Sequence, residues 1–255
     1  MIGKVILAVV IIVVVAFVFL IVVGILLVGE EEPVEVHSAN FQDEGDHFEV
    51  YFTLHDADSD YVKADGNVTV TIKDDYNATL YSDTFLVEKS DFKWYETLFG
   101  VNILAYKWDI PYSEVNKSYS GGYSLDGIIT FEYKGTEMSS GEEYVPLPDA
   151  LKATIYEIFN LTVNDHGRWG SGYHAGDVYV NVTMENICPY QQDLRWTSWD
   201  IETSDGLVFG WSGDDPNPPD KLNSGASFTW IIYFDVPEAK TPVKIIYHDE
   251  LEVAL

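Results

Sequence analysis

The residues best suited to chemistry lie in two loops. Asp56-Ala57-Asp58-Ser59-Asp60, followed by Asp65, sets carboxylates at alternate positions. Calcium takes six to eight oxygen ligands, and it is the one cofactor such a loop suggests. An EF-hand is excluded, because Tyr61 and Asn67 stand where that loop needs Gly and Glu. Asp also suits turns, so an Asp-rich connection between strands is the simpler expectation for Asp56, Asp58, Asp60 and Asp65. The second loop, Asp165-His166-Gly167-Arg168-Trp169-Gly170-Ser171-Gly172-Tyr173-His174, carries two His eight positions apart, with Asp177 just beyond. It has neither a short zinc spacing nor a Cys-x-x-Cys partner. Loops on rigid scaffolds often carry recognition, so His166, Arg168, Trp169, Tyr173 and His174 are expected as contact residues.

Catalytic patterns are missing. The chain holds no nucleophile elbow, His-Glu-x-x-His, phosphate loop or dinucleotide fingerprint. Acidic pairs such as Asp74-Asp75 and Asp214-Asp215 are ordinary solvated surface in so acidic a chain, and no enzyme is expected. Seven Trp among the aromatic residues raise carbohydrate stacking as an idea. Trp199 and Ile201 share one strand face as core residues, whereas Trp196 faces the other side. Trp211, beside Asp214-Asp215-Pro216, is a further candidate for exposure. Asn67, Asn77, Asn116, Asn160 and Asn181 each open an Asn-x-Ser/Thr sequon, the pattern of a glycosylated surface protein. Cys188 stands alone, so no intrachain disulfide forms and the fold rests on its core.

The elements that must position these residues are strands. His47–His55 alternates with Phe48, Val50, Phe52 and Leu54 on one face, and Asn67–Lys73 with Val68, Val70 and Ile72. A period of two is the signature of a half-buried strand. Further strands are expected near 79–87, 101–110, 124–133, 151–162, 178–186, 194–203, 227–236 and 242–248, with a helical turn only over 88–95. Turn residues such as Asp65-Gly66, Ser120-Gly121-Gly122 and Asp205-Gly206 separate them. The stretch 139–149 has linker composition. The expected division is therefore a 1–32 anchor segment, a first sandwich over 33–138, and a second over 150–255.

The anchor reading rests on Val5 to Gly29, 25 residues without a charged or polar side chain. As a helix they span roughly 37 Å, against about 30 Å of hydrocarbon core. The run is longer than the apolar part of a cleavable signal peptide, and Leu27-Val28-Gly29-Glu30 is a poor cleavage site. Lys4 precedes the run and Glu30-Glu31-Glu32 follow it, which orients the amino terminus to the cytoplasm and 30–255 to the outside. Beyond the run lie all 42 acidic residues and 13 of the 14 basic ones. That charge disfavours nucleic acid and anionic lipid headgroups as partners. Of the basic residues 12 are Lys, which argues against a strong form of salt adaptation as the source of the acidity.

Residues 150–255 resemble the extracellular, telokin-like immunoglobulin-like family of unknown function found on prokaryotic surface proteins. The likeness is carried by Tyr179-Val180-Asn181-Val182-Thr183-Met184-Glu185-Asn186, by Trp199-Asp200-Ile201-Glu202-Thr203-Ser204-Asp205-Gly206, and by Leu222-Asn223-Ser224-Gly225 leading to Phe234-Asp235-Val236-Pro237. The long Asp165–Asp177 loop and the Pro-rich 214–220 loop depart from that pattern. Residues 34–138 are similar to prokaryotic surface immunoglobulin-like modules through Leu54-His55-Asp56-Ala57-Asp58 and Ala64-Asp65-Gly66-Asn67-Val68-Thr69-Val70. The resemblance implies β-sandwiches and a surface location, with no catalytic residues to carry over. The expectation is a mainly β protein: two tandem immunoglobulin-like sandwiches after one transmembrane helix. It is expected to be a single-pass cell-membrane protein that binds a surface protein or glycan. Self-association into a filament or layer, and an accessory role in a membrane complex, stand as alternatives.

Overall fold

The computed structural model describes residues 32–96, 100–194 and 197–255. The apolar run 5–29 and Trp196 lie outside them. Among the described residues no helix is long and apolar enough to cross a membrane. The fold is mainly β, built of several antiparallel sheets. It divides into two compact units that interleave along the chain. Of the described residues, one takes those up to Ile72 and those within Tyr81–Pro111 and Asp126–Val145; the other takes those within Lys73–Leu80, Tyr112–Leu125 and Pro146–Leu255.

In the first unit one sheet runs β1 (Glu35–Asp43), β2 (His47–His55), β7 (Asn102–Pro111) and β6 (Lys93–Glu96), with β3 (Tyr61–Val62) also paired to β2. A second sheet runs β10 (Glu143–Pro146), β8 (Ser124–Tyr133), β4 (Gly66–Lys73) and β5 (Thr79–Val87), with β9 (Thr136–Ser139) on β8. Phe48, Val50, Phe52 and Leu54 of β2 are fully buried, as are Val68, Val70 and Ile72 of β4, so the period-two faces form the core. Phe52 and Phe131 of β8 meet across it at 5.9 Å between ring centroids. Gly127 of β8 makes room for Phe41: a Cβ there would stand 2.4 Å from Phe41 Cε2. The helical turn expected over 88–95 is a single 3-10 turn, Lys89–Asp91.

The stretch 139–149, expected as a linker, contains β10 and is packed rather than free. Val145 is fully buried and Leu147 nearly so. Alternation of Tyr144 outward and Val145 inward is a strand signal, hidden in the sequence by the surrounding Ser, Gly, Glu and Pro.

The second unit is built around the path β11 (Phe159–Arg168), β12 (Val178–Asn186), β17 (Ser227–Phe234), β15 (Val208–Asp215), β14 (Trp199–Thr203), β18 (Pro242–Tyr247) and β19 (Leu251–Ala254). A small pair, β13 (Gln192–Asp193) with β16 (Lys221–Leu222), stands apart. β15 changes partner midway: Gly210 pairs with Asp200 of β14, and Trp211 with Phe234 of β17. A bulge between Trp211 and Gly213 accompanies the switch. The two halves of the path enclose a core of Val178, Val180, Val182, Trp199, Ile201, Trp230, Ile232, Ile245 and Tyr247. Trp199 and Ile201 are buried as their strand face implied. Trp211 is half-buried against this core and forms no exposed platform. Also within this unit, Tyr76 stacks on Tyr190 at 4.6 Å.

The strand expected over 151–162 begins only at Phe159. Ahead of it lie a 3-10 turn, Asp149–Leu151, and a one-turn helix, α1 (Ile155–Ile158). Thr154 and Glu157 form a capping box around α1, with the Thr154 N–H donating to Glu157 Oε2 at 2.8 Å. The Thr-x-x-Glu spacing encodes that start locally and overrides the apolar alternation.

Candidate functional site

The loop after β11 is a braced hairpin. β11 and β12 stay paired out to Arg168 opposite Val178. The tip then closes through Gly176 N–H to Trp169 O (2.9 Å) and Asp177 N–H to His174 O (3.0 Å). Gly172 and Gly176 adopt φ of 87° and 96°, the left-handed region that glycine enters without steric cost. The Arg168 guanidinium is spent internally: Nη1 donates to Gly176 O and Val236 O, and Nη2 to Pro237 O and Lys240 O. Trp169 sits edge-on to Tyr179 and Tyr233 at 5.5 and 5.6 Å. His174 lies flat on Tyr233, 4.0 Å between centroids and 4° between planes, with Nδ1 2.9 Å from Asp177 Oδ2. Gly213, the neighbour of Tyr233 across the β15–β17 ladder, leaves the space for that ring; a Cβ there would fall 2.9 Å from His174 Cε1.

The five contact candidates thus take two roles. Arg168, Trp169 and His174 hold the hairpin down. Tyr173, 97% exposed at its tip, and His166 face solvent. The Tyr179 hydroxyl donates to Asp165 Oδ2 at 3.0 Å, and this bond holds the Tyr179 phenol above its ordinary pKa. The hairpin's His and Asp side chains do not gather into a metal cluster. Asp165 serves Tyr179 and the His166 N–H, and Asp177 serves His174.

In the Asp-rich loop two of the four candidate carboxylates are bonded to backbone N–H groups. Asp56 Oδ1 accepts from the N–H groups of Asp58 and Asp60, each at 2.9 Å, while Asp65 Oδ1 accepts from the Lys89 N–H. Asp74 repeats the device, accepting from the Tyr76 and Ala78 N–H groups. Asp56 and Asp74 thereby close their own backbone turns, while Asp65 is tied to the 3-10 turn at Lys89. Four sequon asparagines, Asn67, Asn77, Asn116 and Asn160, are exposed; Asn181 is half-buried and accepts from the Asn164 amide at 3.2 Å.

Among the described residues the group placed to share a metal ion is one the sequence reading passed over: Glu35, His37 and His55, whose ligand atoms all lie within 4.8 Å of one another. Glu35-x-His37 on a strand, with a second His on the neighbouring strand, is the signal that was there to be read. Recognising it required the β1–β2 register, which pairs Glu35 with His55. Burial, and then His37, holds the His55 pKa below the ordinary imidazole value. In the second unit a shallow depression is lined by Thr197, Ser198, Asp200, His248 and Asp249. Burial raises the Asp200 carboxyl, and Asp249 adds to the effect.

No protein-family model matches the chain, and no curated protein does. Among solved structures it is similar to an exo-β-D-glucosaminidase studied with a glucosamine-configured castanospermine, at TM-score 0.28 and 13% identity over 85% of this chain and 26% of that one. It is also similar to the exo-chitosanase of Amycolatopsis orientalis in complex with PNP-β-D-glucosamine, at TM-score 0.26 and 13% identity over 86% of this chain and 26% of that one. The chain thus spans about a quarter of either enzyme. Likenesses this slight carry no argument about fold or activity.

Proposed function

We propose that this chain is a membrane-anchored cell-surface binding protein. Residues 5–29 anchor it, its β units are immunoglobulin-like sandwiches, and the hairpin 165–177 is its contact element. The observation that carries the binding reading is the contrast within that hairpin. Its base is fixed by four Arg168 hydrogen bonds and two aromatic contacts of Trp169, while Tyr173 is left 97% exposed. An exposed aromatic on a pre-ordered loop binds without a large ordering cost, since Tyr supplies broad contact area with few rotatable bonds. The uncharged run before the acidic β units supports the anchor, and the four exposed sequon asparagines agree with an exterior surface. The partner class is a surface protein or a glycan.

The test is binding of the full chain in detergent to immobilised glycans and to purified envelope fractions, wild type against Tyr173→Ala. The expected result is saturable binding that falls at least tenfold in the variant, with melting temperature unchanged. Saturable binding that the variant retains in full would remove the hairpin from the account.

A further inference from the structure

We propose that Glu35, His37 and His55 form a binding site for a divalent transition metal of the zinc or copper type on the outer face of the first unit's β1–β2 ladder. The placement follows from strand geometry. Glu35 and His37 are two residues apart on β1, and Glu35 is the direct cross-strand partner of His55 on β2. The register slips between Val36 and Ser38, so His37 is the extra residue of a bulge, the kind of feature that re-aims a side chain. Here it brings the His37 ring over His55, 3.8 Å between centroids and 7° between planes. Glu35 Oε1 lies 3.1 Å from His37 Nδ1.

His55 is the observation that points to a ligand. It is 5% exposed, yet neither of its ring nitrogens has a hydrogen-bond partner among the described residues. A buried polar group left so is unfavourable, and the fold keeps it beside a second imidazole and a carboxylate. Tyr61 closes the site on another side, edge-on to His55 at 4.6 Å, and Trp94 packs against Tyr61 at 5.7 Å. Two imidazoles and one carboxylate are a donor set for zinc, copper or nickel; calcium and magnesium prefer oxygen alone. Three protein ligands leave at least one coordination position for water or for a group on a partner.

The stacked arrangement cannot itself hold the ion. Imidazole lone pairs lie in the ring plane, and two parallel planes cannot meet at one ion. Ligand atoms around tetrahedral zinc sit roughly 3.4 Å apart, given Zn–N bonds of about 2.0–2.1 Å. Binding therefore requires one ring to swing out of the stack. His37, with its side chain 49% exposed, is free to do so while His55 stays fixed in the sheet.

The test uses the tag-free full chain in detergent, titrated with zinc chloride and separately with copper(II) chloride, by calorimetry and by histidine-resolved NMR. The expected result is one saturable site per chain, weakened at least tenfold by His37→Ala and by Glu35→Gln and unchanged by His166→Ala. Both substituted side chains are solvent-accessible, so these variants keep the fold; an unchanged melting temperature in the absence of metal checks that. The His37 and His55 ring resonances should shift together before those of the other four His. Three results overturn the site: no saturable binding, equal affinity in the His37→Ala and Glu35→Gln chains, or displacement by equimolar calcium, the mark of diffuse attraction to an acidic surface.

Discussion

Replacing Arg168 with Ala probes the braced hairpin most fully. The guanidinium donates four hydrogen bonds to backbone carbonyls of three separate segments, at Gly176, at Val236 and Pro237, and at Lys240. Charge-assisted bonds contribute about 1.5–3 kcal/mol each, so four dry acceptors would lose more than about 6 kcal/mol. Arg168 is exposed, however, and water reaches most of the carbonyls it leaves. Discounting each bond to roughly 0.5 kcal/mol gives a loss of about 2 kcal/mol. That corresponds to a melting-temperature drop of about 4–8 °C for a chain of this size. Hydrogen exchange locates the damage: the Gly176 and Asp177 amides, which close the tip, should exchange faster while those of β17 stay protected. Arg168→Lys separates geometry from charge, because an ammonium keeps the charge but cannot span four carbonyls. It should recover less than half of the loss. Arg168→Ala melting within 1 °C of wild type, with the tip amides still protected, would refute the brace.

Two further outcomes test the packing and the electrostatics. Gly127→Ala places a Cβ 2.4 Å from Phe41 Cε2 and 2.7 Å from Val145 Cγ2, so it should destabilise by about 1–3 kcal/mol in a denaturant melt, and adding Phe41→Leu should restore part of it. Asp214→Asn tests a carboxyl that burial, helped by Asp215, holds above its usual pKa. A raised folded-state value in an acid means no penalty below the unfolded pKa of about 3.9 and a growing one as pH rises through the folded value. The variant should therefore melt higher than wild type at pH 8 and level with it near pH 3.5; an equal difference at both would contradict the assignment.

The strands that were legible in the sequence are the regular ones. His47–His55 and Val178–Asn186 alternate in sequence, and both form over the residues expected. The strands that escaped detection are irregular or very short. β1 carries a bulge at His37, so Val36 and Phe41 point inward although an odd number of positions separates them. β15 is broken the same way between Trp211 and Gly213. An extra residue flips the phase of a period-two pattern, which erases the signal that would announce the strand. The site residues followed the same logic. Tyr173 was readable as an exposed loop aromatic. Gly213 and Tyr233, which help seat the hairpin, belong to strands distant in sequence and become visible only with the register, whereas Tyr179 lies on β12 directly after it. Arg168 looked like a contact residue because its four acceptors are backbone carbonyls, to which sequence is blind.

Chemical labelling of intact cells tests whether this is an anchored protein with its β units outside the cell. Ser171→Cys places a thiol in the exposed hairpin tip, and the chain's own Cys188 is 1% exposed and supplies little background. A membrane-impermeant maleimide should label Ser171→Cys in unbroken cells, with the labelled chain remaining in the membrane pellet after an alkaline carbonate wash. Labelling that appears only after the cells are broken, or a chain released into the carbonate supernatant, would contradict it.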